Sequence, residues 1–150
     1  MGQRDIGVDL ETSLGYLLKQ ASSALRAAME EQLRPLGMTV THYSCLELLA
    51  QRPGLSNSEL ARGAFVTRQS MNVLLQTLER DGYVSRPARA PVGKVLPAQL
   101  TPRGRQSLAK ATAAVRAVED RMLSGMTDAE RSDAFTALQS MVHALQGDGA

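Results

Sequence analysis

The run Thr67-Arg68-Gln69-Ser70, continued by Asn72, Val73, Gln76 and Thr77, gathers side chains that can read the polar edges of nucleic-acid bases. An Arg guanidinium can bond guanine through two donors, and an Asn or Gln amide can do the same with adenine. Ser and Thr hydroxyls suit phosphate oxygens, and the amides at a helix N-terminus attract the same anions. Met71, Leu74, Leu75 and Leu78 recur between these positions at helical spacing. The polar set therefore lies on one face of a helix with an apolar back. A face that served solubility alone would carry Glu and Lys, yet no acidic residue occurs from Gly63 to Leu78.

Other chemistry is poorly supported. His42 and Cys45 sit three residues apart, but the chain has no G-x-S-x-G, no phosphate-cradling glycine loop and no H-E-x-x-H. The expectation is a protein that is not an enzyme. His42, His143 and one cysteine are too few for a metal cluster, so neither metal nor cofactor is expected. Cys45 lies among Leu46, Leu48 and Leu49, with Glu47 beside it and nothing basic close in sequence. A redox thiol needs exposure and neighbouring positive charge, so packing is its expected role.

The surrounding elements explain how the polar face is held. Leu14, Leu17, Leu18, Ala21, Leu25, Ala28, Met29 and Leu33 mark a long amphipathic helix that ends near Arg34-Pro35. Thr39 or Thr41 can cap a second helix, which stops before Pro53-Gly54. Ser56-Asn57-Ser58-Glu59 forms a capping box for a short helix running to about Gly63. Thr67 caps the next helix, and Gly82 suits its left-handed stop. The order is that of a helix–turn–helix, whose second helix enters the major groove.

Periodicity then changes. Tyr83–Arg86 and Val95–Leu100 read as two strands of a hairpin around a loop rich in Pro, Ala, Gly and basic residues. Pro97 in the second strand should face an open edge. Arg86, Arg89 and Lys94 surround this loop without an acid, which makes it a wing that can lie along phosphates or enter the minor groove. Thr101-Pro102 opens a long helix, and Thr127-Asp128-Ala129-Glu130 boxes the last one.

Charge follows the same division. Residues 62–110 hold nine basic residues against Glu79 and Asp81, a net +7, while the remainder is −5. A basic middle on an acidic scaffold suits a polyanion. No apolar run approaches the roughly eighteen residues of a membrane span, no signal peptide is read, and a cytoplasmic location with no membrane partner is expected.

The segments L-S-N-S-E-L-A, V-T-R-Q-S-M-N-V-L-L-Q-T-L-E-R-D-G-Y-V and L-T-P-R-G resemble the multiple antibiotic resistance regulator (MarR) family, from about Leu14 to Leu145. The resemblance implies a dimeric winged helix–turn–helix protein, usually a repressor, that leaves a palindromic operator on binding a small phenolic or aromatic acid or on cysteine oxidation. The family wing usually reads D-x-R-x-x-x-x-x-L-T-x-x-G. Here Val92 stands at the Asp position and Lys94 at the Arg position, so the usual steadying pair is absent. Arg89 and Lys94 both remain candidates for the groove.

The fold class expected is mainly α with a small β-hairpin, a winged helix–turn–helix with long N- and C-terminal dimerisation helices. Residues 1–36 would form the N-terminal dimerisation helix, 37–101 the DNA-binding lobe and 102–150 the C-terminal dimerisation helices. DNA contacts are expected from Ser56, Thr67, Arg68, Gln69, Ser70, Asn72, Gln76, Arg86, Arg89 and Lys94. Recognition helices spaced about 34 Å apart need a dimer. Ile6, Val8, Leu10 and Leu14 with Phe135, Leu138, Met141, Val142 and Leu145 offer its apolar surface. A ligand wedged between dimer helices and lobe would meet Tyr16, His42, Tyr43, Cys45 and Arg86, with Arg86 pairing a carboxylate. Partners are thus double-stranded DNA, a second copy of the chain and a small aromatic or phenolic ligand. The alternatives are a redox-responsive regulator acting through Cys45 and a helical protein-interaction adaptor.

Overall fold

The computed structural model describes residues 7–86 and 98–147. Its elements run α1 (Leu14–Leu33), a 3-10 turn (Arg34–Leu36), α2 (Val40–Gln51), α3 (Asn57–Gly63), α4 (Arg68–Arg80), β1 (Val84–Ser85), β2 (Gln99–Leu100), α5 (Pro102–Leu123) and α6 (Asp128–Gln146). No helix among the described residues is long and apolar enough to cross a membrane.

Side-chain caps set the helix starts. Ser13, Thr39, Ser56, Thr67, Thr101 and Thr127 each accept a hydrogen bond from the amide three residues on. Between the two candidates for α2, Thr39 is the cap. The Glu59 and Glu130 carboxylates accept in turn from the Ser56 and Thr127 amides, which completes both expected capping boxes. Each such cap contributes on the order of 1 kcal/mol.

Stops are as regular as starts. After Leu33 the chain closes through Met38 N donating to Leu33 O and Gly37 N to Arg34 O. After α4, Tyr83 N donates to Leu78 O and Gly82 N to Glu79 O. Gly82 adopts φ +86°, the left-handed conformation this stop requires.

The core gathers under the helix–turn–helix. Leu33, Cys45, Leu46, Leu60, Met71, Leu75 and Val84 are almost wholly buried. The back of α4 is thus seated on α3 and β1 and on the core it shares with α2, each buried large apolar side chain contributing about 1.5–3 kcal/mol. The hairpin is shorter than the sequence suggests among the described residues. Val84 faces Leu100 and Ser85 faces Gln99, antiparallel, while Tyr83 and Arg86 flank the pair. The loop with Arg89, Val92, Lys94 and Pro97 lies outside the described residues, as does Ile6.

The outer helices are less covered. α1 packs on α5, but its first turns leave Leu14, Leu17 and Leu18 exposed. Val8 and Leu10, just before it, are also exposed. No residue of α6 is buried, and Phe135, Leu138, Val142 and Leu145 face solvent on it. Met141 is half-buried. Arg131 ties α6 back by donating to the carbonyls of Leu123 and Met126. A 19-residue helix with no buried residue has little to hold it against a single chain.

Hairpin and scaffold join at one joint. Thr101 Oγ1 donates to Gly82 O at 2.6 Å and accepts from Gly104 N at 3.0 Å, while Thr101 N donates to Tyr83 O. A Cβ at position 104 would collide with the Tyr83 carbonyl. That explains why L-T-P-R-G ends in glycine. Gly104→Ala is expected to lower unfolding stability by ~1–3 kcal/mol through overpacking against backbone. Gly15→Ala on α1, where a Cβ would meet only Ser13 Oγ at an ordinary 3.8 Å, should not destabilise it. Urea melts of the two variants check this.

Candidate nucleic-acid interface

Arg68, Gln69, Ser70, Asn72, Val73 and Gln76 all lie on the exposed side of α4, opposite the buried Met71, Leu75 and Leu78. The sequence thus places one continuous polar face on the outside of the second helix of the pair. Thr77 is half-buried and its hydroxyl donates to Val73 O within the helix. Thr67 Oγ1 accepts from Ser70 N and donates to Ser70 Oγ, both at 3.0 Å. Ser56 is half-buried and engaged in its capping box.

The first turn of α4 has no acid. A cation at the positive end of a helix is unfavourable by a few tenths of a kcal/mol or more, so Arg68 does not serve helix stability. Its charge and the helix dipole both favour an external anion. Asn72 is engaged differently. Its Oδ1 accepts from Asn57 Nδ2 at 2.6 Å, which braces α4 against α3 and leaves the amide donors of the exposed Asn72 outside that bond.

The candidate ligand residues separate into groups. Cys45 and Arg86 come together, while the His42 ring packs on Tyr83. The Arg86 guanidinium is near enough to Cys45 to act on its thiol, a neighbour the sequence did not place there. Arg86 Nε lies 3.3 Å from Glu79 Oε2, an ion pair too misaligned to be a hydrogen bond. Arg86 Nε, Arg86 Nη2 and His42 Nε2 are buried without a hydrogen-bond partner among the described residues. Arg86 thus has Nε and Nη2 turned inward. Tyr43 lies apart, beside Glu47, Thr112 and Arg116, its hydroxyl pushed up to about 12 by burial first and by the Glu47 charge second. Tyr16 is exposed on α1.

Cys45 is fully buried. Burial pushes its thiol up to about 12, and the Arg86 charge offsets this only partly. A thiol so protonated is a poor redox nucleophile, which supports the packing role. Among the described residues no cluster of His, Cys, Asp and Glu could hold a metal ion.

Two features escaped the sequence. Tyr83 carries the His42 ring edge-on at 5.2 Å and the Arg103 guanidinium over its face at 4.8 Å. A cleft of about 820 Å³ also opens between the end of α2, β2 and α5, lined by Leu49, Pro53, Leu100, Arg105, Leu108 and Arg116 among others. None of the five expected ligand residues lines it.

Such a pair of helices with a flanking hairpin and a polar, base-reading face defines a winged helix–turn–helix protein. A model of the MarR family matches residues 36–94. The HTH-type transcriptional repressor Rv2887 of Mycobacterium tuberculosis is 42% identical over 136 residues, which cover 91% of this chain and 98% of that protein. A solved structure of the M. tuberculosis MarR family protein Rv2887 with salicylic acid is 43% identical, with a TM-score of 0.73, covering 87% of this chain and 96% of that one. The same protein in complex with DNA gives 42% identity and a TM-score of 0.72, covering 87% and 98%. This chain belongs to the MarR family. The relatives are transcriptional regulators rather than enzymes.

His42 yields a pH prediction. Burial holds its imidazole below the ordinary value of 6.5, with Asp81 pulling weakly the other way. The unfolded chain therefore takes up the proton first, and stability is lost as pH falls below 6.5 toward the lower folded value. Melting temperature should fall between pH 7 and 5.5 in the wild type and fall less in His42→Gln. Scanning calorimetry across that window checks it.

Proposed function

We propose that the chain is a homodimeric, sequence-specific DNA-binding repressor. It acts in the cytoplasm on a palindromic operator and is released by a small aromatic or phenolic acid. The observation that carries the reading is the first turn of α4, where Arg68, Gln69 and Ser70 stand exposed at an un-neutralised helix N-terminus above an apolar seat. The DNA complex of the M. tuberculosis relative supports it.

Thr67, Arg68, Gln69, Ser70, Asn72 and Gln76 read or border the major groove, with Ser56 at its rim. Arg89 and Lys94 add phosphate or minor-groove contacts from the wing. Residues 1–36 and 102–150 hold the dimer, and residues 37–101 form the lobe that meets DNA. The exposed apolar residues at both ends, Val8, Leu10 and Leu14 with Phe135, Leu138, Val142 and Leu145, support a second copy as their cover. Met141 belongs to the same surface, and Ile6 extends it in sequence. Two copies related by a twofold axis impose palindromy on the operator.

Ligand release follows from the inward Arg86. Its unpaired nitrogens are the groups offered to a carboxylate, and the complex of the M. tuberculosis relative with salicylic acid supports an aromatic acid as the ligand. A ligand acts by binding the DNA-incompetent lobe spacing more tightly than the competent one.

Selection from random duplex DNA should enrich a palindrome, and its binding should weaken steeply with salt. Arg68→Ala should then cost ~1–3 kcal/mol at one base pair per half-site and relax the preference there. An unchanged sequence preference would remove Arg68 from base reading.

Salicylate titrated into the protein–DNA complex should release the duplex. Arg86→Gln should raise the concentration required by about tenfold or more, as expected for lost charge-assisted hydrogen bonds. Arg116→Gln, in the separate cleft, should leave it unchanged. The opposite pattern would move the ligand to that cleft.

A further inference from the structure

Among the described residues, three stops share one hydrogen-bond pattern, and one of them is built from the wrong residue. Leu33 and α4 end on Gly37 and Gly82, at φ +70° and +86°. Helix α3 ends the same way, with Val66 N donating to Ala61 O at 3.0 Å and Phe65 N to Arg62 O at 3.2 Å. There the left-handed position is held by Phe65, at φ +60°, the only non-glycine residue with positive φ among the described residues. A bulky L-residue is strained in that conformation, and glycine would relieve it.

The strain gains nothing inside the fold. Phe65 is 94% exposed, while its neighbour Val66 turns in against the core. It is also remote in kind from the exposed apolar residues of α1 and α6, because it sits on the helix–turn–helix turn. That turn delivers the chain to Thr67, the cap of α4, two residues later. Exposed Arg62 and Arg68 stand three residues to either side of it in sequence, and no acid lies between Glu59 and Glu79. The surroundings suit a polyanion and repel a basic partner.

We infer that Phe65 is a DNA contact, its ring laid on apolar DNA surface at the rim of the major groove beside the recognition helix. The apolar surface available there is the thymine 5-methyl group or the deoxyribose carbons. This rests on the DNA-binding reading above and adds to it an uncharged anchor at the turn.

The probe is the duplex enriched by the wild type from random DNA. Phe65→Gly removes the ring and the strain together. It should melt no lower than the wild type yet bind the duplex about tenfold more weakly. Phe65→Ala should bind as weakly, and Phe65→Leu should retain most of the affinity. The slope of affinity against salt should stay at the wild-type value in all three, because no phosphate partner is lost. A duplex with deoxyuridine replacing thymine, one position at a time, separates the two surfaces. A loss seen by the wild type and not by Phe65→Ala marks the methyl group, and no loss at any position marks deoxyribose. Equal binding by Phe65→Gly and wild type overturns the inference, even if repression in a reporter strain is lost. A wild type that enriches no duplex instead fails the DNA-binding reading itself.

Discussion

The hydroxyl of Thr101 is the joint on which the molecule turns. One oxygen accepts from the Gly104 amide at the start of α5 and donates to the Gly82 carbonyl at the end of α4. The Thr101 amide adds a bond to the Tyr83 carbonyl. Recognition helix, hairpin and scaffold helix therefore meet within a few ångströms, through backbone groups that cannot reorient independently. The absence of a Cβ on Gly104 lets the α5 backbone close on Tyr83. Because α5 also carries α1, the orientation of the polar face of α4 is fixed relative to the long helices rather than hung on a loop.

That rigidity suits a reader of two half-sites. Groove recognition by a dimer tolerates little error in the separation of its recognition helices. The lobe core, from Leu46 through Leu60 to Leu75, holds the helix from behind, and the Asn57–Asn72 bond holds it from the side. On the proposed dimer, the relation between copies rests on the outer helices. α6 has no buried residue within the single chain.

Much of this was legible in the chain because caps and stripes are local. Ser56, Thr67, Thr101 and Thr127 each act within three residues, and the apolar back of α4 follows from spacing alone. The mainly helical winged architecture and the outward side of Arg68, Gln69 and Ser70 came from the same local rules. The turn at Phe65 did not, because backbone φ is not written in a residue that usually avoids it. Nor did the meeting of His42, Cys45, Tyr83 and Arg86, which joins α2 to the hairpin across some forty residues of chain. Spacing alone leaves Arg86 open to both DNA and ligand, because the direction of Nε and Nη2, here inward, depends on packing across the fold.

The direction matters because Glu79 lies on the last turn of α4. The Arg86–Glu79 pair joins the hairpin to the recognition helix at the end opposite Arg68. It is a misaligned pair, with two guanidinium nitrogens left unsatisfied, and half-satisfied buried charge is costly. A carboxylate that satisfied those nitrogens would compete with Glu79 for the same guanidinium. On the proposed reading, binding an aromatic acid then loosens one restraint on α4 while Thr101 keeps the other. Because the core and the Asn57–Asn72 bond still hold α4 within its lobe, the loosened contact shifts the lobe as a unit and so changes the spacing at which Arg68 and Gln69 of the two copies meet their grooves.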